Sequence, residues 1–324
     1  MKPFESFLAS KLDEFISYRL SLGYAKRGIR SALLSFDRYL KEQQPQQMML
    51  PPSFFLELRE KINKTPRTVN RILSILRSFF QFLVRQGVYC ENPLQDIPPL
   101  PERYFVPYVF SPEQIERLLQ AVCQRIRPTE EHFLHDVTLY LAIVLLARCG
   151  MRIAEPLRLL RTQYRADEAT LYIEKTKFKK DRLIPVPHVV KSEIENYLAL
   201  RDTLFNDDRN PFLLAAAHHK ALRDDQVRLR FHQAVRDTGL YREKQTIGDM
   251  TFGSPSPHSL RHSFAINTLK RIKERGESPQ HALPVLAAYM GHRKYQYTGA
   301  YLKVNDANHR AGLIEFARSQ LKLL

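Results

Sequence analysis

The sequence predicts a mainly α-helical protein with one small β-hairpin, divided into a helical amino-terminal domain and a larger, mainly helical second domain. Three observations lead there. Apolar residues recur at three- and four-residue spacing through the first ninety positions. Six prolines, at 93, 98, 99, 101, 107 and 112, then interrupt the pattern, and proline lacks the amide proton that continues a helix or sheet. Two β-rich runs, Thr170–Glu174 and Arg182–Val186, form the one clear sheet signal. At 324 residues the chain also exceeds the length, about 250–300, at which single cores usually stop growing. The expected division is a helical domain over 1–92, a proline-rich linker over 93–110 and a second domain over 111–324.

The elements follow in order. Phe4 to Leu22 sets Phe7, Leu8, Leu12, Phe15 and Ile16 on one helical face, with Gly23 as a stop. A second helix runs from about Lys26 to Gln43 and a short third starts near Pro52. The fourth has Thr65 as cap, Pro66 in its first turn and Gly87 beyond its end. Val69, Ile72, Leu76, Phe79, Phe80 and Leu83 form its buried stripe; Arg67, Arg71, Arg77 and Arg85 lie on the other side, as a solvated face or a DNA contact. Beyond the prolines, Ser111-Pro112-Glu113-Gln114 reads as a capping box that opens a new helix. A buried helix over about His135–Cys149 precedes the hairpin, whose connection Lys175–Asp181 is basic. Helices resume near Val189 and continue to the end, closing with an amphipathic helix over Asn305–Leu324.

The charge balance, 50 Lys+Arg against 34 Asp+Glu, gives a net +16 and points to an anionic partner, because fixed positive charge releases counterions from a polyanion. Residues 1–105 carry +6 and the remainder +10, so both domains are expected to touch one long ligand, nucleic acid before an acidic membrane face. The longest apolar run, Leu139–Ala147, has nine residues where a membrane span needs about 20. The charged start MKPFESFLASKLDEF is unlike a signal peptide. Three cysteines, at 90, 123 and 149, show no CxxC spacing and form no disulfide framework; Cys123 and Cys149 read as core residues of a cytoplasmic protein.

Nucleotide-binding glycine motifs are absent from the sequence. His258 and His262 have the i, i+4 spacing of a helical zinc pair, but Ser259 stands where a zinc protease needs its glutamate. Gly150-Met151-Arg152-Ile153-Ala154-Glu155 follows the buried helix, and an arginine beside an apolar helix must find an anion. Glu155 is its obvious internal partner. Further on, His258 and Arg261 lie three residues apart on one helical face within HSLRH, followed by MGH with His292 and, nine residues later, Tyr301.

This combination resembles the tyrosine recombinases, the phage-integrase family of DNA strand-exchange enzymes. Their pattern of G-[LM]-R-x-x-E, a hairpin lysine, H-x-L-R-H, L-G-H and a tyrosine nine residues later is met by Arg152 in GMRIAE, Lys177 in TKFKKDRLIPV, His258 and Arg261 in HSLRH, His292 in MGH and Tyr301 in YTGAYL. The resemblance implies a helical core-binding domain, a recombinase catalytic domain, and cleavage and rejoining of double-stranded DNA. Arginines suit such chemistry because each offers planar paired donors to phosphate oxygens. Tyr301 would attack to leave a 3′-phosphotyrosyl bond, with His258 and His292 giving hydrogen bonds or handling its proton. The resemblance makes Lys177 the acid for the 5′-oxygen. Tyr295 and Tyr297 are close enough to compete by composition, but only Tyr301 has the family spacing. No metal or cofactor is implied. The partners implied are double-stranded DNA, a homo-tetramer on two sites with a dimer on each, and accessory recombination proteins. The rival readings are a type IB-like topoisomerase and a catalytically silent DNA-binding protein. One departure is Pro156, which a helix tolerates only in its first turn. The Asn305–Leu324 helix packs on its own domain or, as the resemblance implies, on a neighbouring protomer.

Overall fold

The computed structural model describes residues 2–24, 26–45, 49–174, 181–204, 209–215, 220–292 and 301. Lys177, Tyr295, Tyr297 and the expected Asn305–Leu324 helix lie outside the described residues. The chain forms two compact units, Met1–Arg103 and Tyr104–Leu324.

Among its described residues the first unit has four helices, α1 (Ala9–Ser21), α2 (Lys26–Gln43), α3 (Pro52–Lys61) and α4 (Pro66–Arg85). Its centre is aromatic: Phe15, Phe36, Phe55, Phe79 and Phe80 are all but sealed from solvent, each contributing about 1.5–3 kcal/mol by burial. Phe80 meets Phe55 edge-on at a centroid distance of 5.0 Å and Phe36 at 6.0 Å, an arrangement that sets the positive ring edge against the negative face. Helix α1 starts later than expected, at Ala9, and Phe7 is left exposed. The buried Asp37 accepts the amides of Glu5 and Ser6 at 2.9 and 3.0 Å, tying the preceding segment to α2. Thr65 stands at the start of α4 but does not cap it, because its hydroxyl pairs with that of Thr68 at 3.0 Å. Gly87 closes the helix in the left-handed region at φ 72°, where a Cβ would be strained.

The proline-rich stretch is shared between the two units. Leu94 and Ile97 are buried in the first core, and Arg77 of α4 holds the carbonyls of Leu94 and Ile97 at 3.0 and 2.8 Å. Arg77 is therefore a structural strut, whereas Arg67, Arg71 and Arg85 on the same helix are exposed. From Tyr104 the stretch belongs to the second unit, as strand β1 (Tyr104–Val106).

The second unit is built on α6 (Phe133–Arg148), almost wholly buried from Leu139 to Ala147 and packed by α5 (Pro112–Cys123), α7 (His188–Leu204), α8 (Asp224–Asp237) and α9 (Pro257–Glu274). The capping box of α5 is present: Ser111 Oγ accepts the Gln114 amide at 3.2 Å and Gln114 Oε1 accepts the Ser111 amide at 3.0 Å. The expected hairpin is β3 (Thr170–Ile173) against β4 (Arg182–Pro185), antiparallel with Leu171 opposite Ile184, and β2 (Tyr164–Arg165) adds a third strand. Leu171, Ile173 and Ile184 turn into the core, as a period of two requires.

A second sheet was not expected. Strands β5 (Gln245–Ile247) and β6 (Met250–Phe252) form a hairpin, and β1 joins β6 in parallel. Helix therefore does not continue unbroken from Val189; strands of three residues are too short to carry a legible alternation. Pro156 opens a short 3-10 turn, Pro156–Arg158, at its first position, where its missing amide costs nothing. Cys149 is buried, but Cys123, expected in the core, is exposed at the end of α5, as is Cys90. No helix among the described residues is long and apolar enough to cross a membrane.

Candidate active site

The site forms where α6 ends. Gly150 has φ +57°, and a Cβ there would lie 2.8 Å from Phe264 Cγ, so only glycine lets the chain turn this close to α9. Past the turn, Glu155 receives Arg152 twice, through its amide and its Nη1, both at 2.8 Å. Arg182 of β4 reaches the same carboxylate at 3.1 and 2.8 Å. Burial works to raise the Glu155 carboxyl, but the Arg182 hydrogen bonds and charge overcome it, and the group sits below its ordinary value. The internal ion pair expected for Arg152 is thus real, and it fixes a guanidinium whose side chain is still 22% exposed.

Helix α9 supplies His258, Arg261 and His262 from its first two turns. Arg261 is only 1% exposed. It donates to Gly150 O at 2.6 Å and also to Met290 O. Burial and then the charge of Arg152 lower it to about 10, which leaves it protonated at neutral pH.

The third component is the end of α10 (Pro279–Met290). Gly291 turns left-handed at φ 62°, and the amides of Gly291 and His292 fold back onto Ala288 O and Ala287 O at 3.0 and 2.9 Å, a Schellman closure. The last carbonyls face arginines from three other elements. Arg182 takes Tyr289 O at 2.8 Å, Arg261 takes Met290 O, and Arg152 takes Gly291 O at 3.0 Å. Guanidinium groups suit the negative end of a helix dipole, and here they lock Arg152, Arg261 and the His292 turn into one frame. Each guanidinium carries five N–H donors, and among the described residues Arg152 and Arg261 each engage two of their terminal nitrogens in these bonds.

Tyr301 enters this frame almost sealed, at 6% exposure. Its Oη lies 3.2 Å from His262 Nδ1, and its ring centroid is 5.5 Å from His262 and 6.1 Å from His292. His258 stacks edge-on against His262 at 4.5 Å, so the i, i+4 pair forms a ring stack. Burial raises the tyrosine hydroxyl above its usual value, although Arg261 and Arg152 pull it down. Loss of hydration, then the nearby arginines, depresses His258 and His292 to about 4. His262 falls to about 3 through burial, with His258, Arg261 and His292 adding to it. All three imidazoles are neutral at pH 7, each able to donate through one nitrogen and accept through the other.

Five residues singled out in the sequence, Arg152, His258, Arg261, His292 and Tyr301, are thereby brought together; the sixth, Lys177, lies outside the described residues. Sequence reasoning passed over Arg182 and His262. Both stand inside the quoted segments TKFKKDRLIPV and HSLRH, but the partner of Arg182 is 27 positions away and that of His262 is 39. Beyond the site, Lys26, Arg30, Arg38, Lys61 and Lys64 of the first unit surround a groove beside α2 and α3 whose one acid among the described residues is Glu42.

Residues 109–308 match the Phage integrase family, and residues 24–87 match the phage integrase N-terminal SAM-like domain. The chain is 26% identical over 310 residues to the tyrosine recombinase XerA of Pyrococcus furiosus, covering 94% of each. Its fold is similar to that of a lambda integrase dimer bound to a COC′ core site, with a TM-score of 0.65, 16% identity, and 91% of this chain and 76% of the other covered. It is similar as well to a lambda integrase tetramer bound to a Holliday junction, with a TM-score of 0.61, 17% identity, and coverages of 89% and 77%. The frame around Arg152, Arg261, His258, His292 and Tyr301 falls wholly inside the matched span, and the chain belongs to the phage integrase family of tyrosine recombinases.

Proposed function

We propose that this recombinase cuts and reseals duplex DNA at a specific site through Tyr301. The hydroxyl attacks the scissile phosphate, leaving a 3′-phosphotyrosyl bond and a free 5′-hydroxyl whose return attack rejoins the strand. Charge that builds on the non-bridging oxygens meets Arg152 and Arg261, already oriented by Glu155 and the α10 carbonyls; donors that need no reorganisation are the most effective stabilisers of such charge. His258 and His292 add hydrogen bonds as neutral imidazoles. Lys177, on the connection between β3 and β4, protonates the leaving 5′-oxygen. The core DNA-binding domain is drawn over residues 1–92 and the catalytic domain over residues 111–324, with residues 93–110 connecting them while Leu94 and Ile97 pack in the first core and Phe110 in the second. The basic groove by α2 and α3 supports a phosphate-binding role for the first. The lambda integrase complexes, a dimer on a core site and a tetramer on a Holliday junction, support a homo-tetramer acting on two duplexes. In this reading the enzyme acts in the cytoplasm, on the DNA there.

The observation that carries this reading is the convergence of two arginines, three neutral histidines and one tyrosine on the end of α10. A nicked suicide duplex bearing the site traps the covalent adduct in EDTA, and Tyr301→Phe yields none. An adduct with Tyr301→Phe overturns the nucleophile. Relaxation of any supercoiled plasmid without a site requirement favours the topoisomerase, and duplex binding without cleavage by the unaltered protein favours the silent DNA binder.

A further inference from the structure

Tyr301 must lose a proton as its oxygen bonds to phosphorus, and the sequence motifs direct that task to His258 or His292. The structure directs the hydroxyl elsewhere. His262 Nδ1 stands 3.2 Å from Tyr301 Oη, the two rings meeting at 66° with centroids 5.5 Å apart. His262 is fixed from behind by the edge-on ring of His258 at 4.5 Å and follows directly on Arg261, whose guanidinium is held on both sides of the site. The contact joins the second turn of α9 to the residue nine positions past His292, so it forms only when Tyr301 is seated in the arginine frame.

We propose that His262 is a catalytic residue of the cleavage reaction, the acceptor that holds the Tyr301 hydroxyl in line and takes its proton. The inference rests on Tyr301 being the nucleophile. With its single proton on Nε2, His262 accepts from the hydroxyl through Nδ1. As the Oη–P bond forms and the P–O5′ bond breaks, the phenolic proton passes to Nδ1, while the 5′-oxygen takes a proton from the acid assigned to Lys177. Rejoining runs the same transfers backwards: the 5′-hydroxyl gives up its proton, and imidazolium His262 returns one to the departing phenolate.

The surroundings make this step depend on substrate. The groups facing His262 are His258 and Arg261 on α9, His292 beyond α10, and Tyr301 itself. Next to the Arg261 cation and away from water, an imidazolium is disfavoured, so the empty site keeps Tyr301 protonated. A scissile phosphate brings the negative charge that offsets Arg261 and makes the imidazolium tolerable. Idle ionisation of the nucleophile is thereby prevented until DNA is in place.

The test uses the full chain and the suicide duplex. Single-turnover cleavage by His262→Phe and His262→Ala falls about 100-fold or more at pH 7, within the 10²–10⁴ range for a lost general base. The residual rate then climbs about tenfold per pH unit as hydroxide takes over the proton. Added imidazole restores His262→Ala but not His262→Phe, which fills the space. His262→Asn, which keeps an acceptor near Nδ1 but cannot carry the proton, stays slow. Duplex binding by band shift is unchanged in all three. Wild-type cleavage rates in the variants, or reduced rates with an unchanged pH profile and no imidazole rescue, overturn the proposal. If Tyr301→Phe, run alongside, still forms an adduct, the nucleophile assignment has failed instead.

Discussion

The two units use positive charge in opposite ways. In the first, Lys26, Arg38, Lys61 and Lys64 stand around an open groove while the interior is filled by phenylalanines. In the second, the decisive cations are inside: Arg261 is 1% exposed and the Arg182 side chain 8%. A buried arginine is tolerable only where its hydrogen bonds are met, and here the loose carbonyls of a helix end and one carboxylate meet them. Exposed charge binds a polyanion without a fixed geometry, whereas buried charge dictates where a phosphate has to sit. The second unit therefore needs its arginines one by one, and the first needs them as a sum.

The sharpest way to break that contrast is Arg261→Met. It leaves Gly150 O and Met290 O without their donor, each such orphaned acceptor costing about 1–3 kcal/mol. The expected outcome is a protein several degrees less stable in thermal unfolding, with no covalent adduct. Arg261→Lys recovers much of the stability but not the adduct, because one ammonium does not reproduce the planar paired donors. If Arg261→Met unfolds at the wild-type temperature, the frame is not held together through this side chain.

Glu155→Gln comes next. It removes the countercharge shared by Arg152 and Arg182, and breaking such a buried pair from one side costs about 3 kcal/mol or less where an amide still accepts. Cleavage falls more than duplex binding, because Arg152 is misaimed rather than removed. The pH sign follows from the lowered carboxyl. The stabilisation is complete above the unfolded glutamate range and fades as pH drops through and below it, so wild type loses stability on acidification more steeply than Glu155→Gln.

Asp136 gives the same test at an ion pair that shares no residue with the arginine frame. Its side chain is fully buried, and although burial alone raises it, Arg127 at 2.8 Å and Arg230 at 2.7 Å bring it down from 3.8 to about 2. The difference amounts to on the order of 2 kcal/mol, present above about pH 4 and lost as pH falls toward 2. Acid unfolding followed by circular dichroism shows this slope in wild type and not in Asp136→Asn, with cleavage at pH 7 little changed in whatever fraction remains folded.

How far these features were legible in the sequence tracks the same contrast. Helices with long apolar stripes, the Ser111 capping box and the β3–β4 hairpin follow from local pattern. So did five of the residues at the α10 end, because each sits in a motif of fixed spacing. The sheet of β1, β5 and β6 was not legible, since three residues carry too little periodicity and its parallel pair joins Tyr104 to Met250. Thr65 looked like a cap, but Thr68 competes for its hydroxyl. Arg77 shares the sequence pattern of its neighbours on α4, but the carbonyls of Leu94 and Ile97 occupy it. Arg182 was hidden among lysines and His262 behind a zinc-like spacing. In each case the missing information was a partner distant in sequence, on which local pattern is silent.

The smallest effect belongs to the first unit. Lys61 and Lys64 lie at the rim of its groove, and Lys64 is exposed. Replacing both with glutamine changes stability within about 0.5 kcal/mol, as for surface positions generally. Binding should instead weaken alike on specific and unrelated duplexes, and the slope of log K against log salt should become shallower by about 0.9 for each phosphate that is no longer neutralised. The chemical rate on bound suicide duplex stays as in wild type, because neither residue belongs to the arginine frame. A salt slope identical to wild type would remove this groove from the DNA path. A changed cleavage rate at saturating protein would mean that the first unit helps to set the geometry of the scissile phosphate, and the division between summed and individually placed charge would fail.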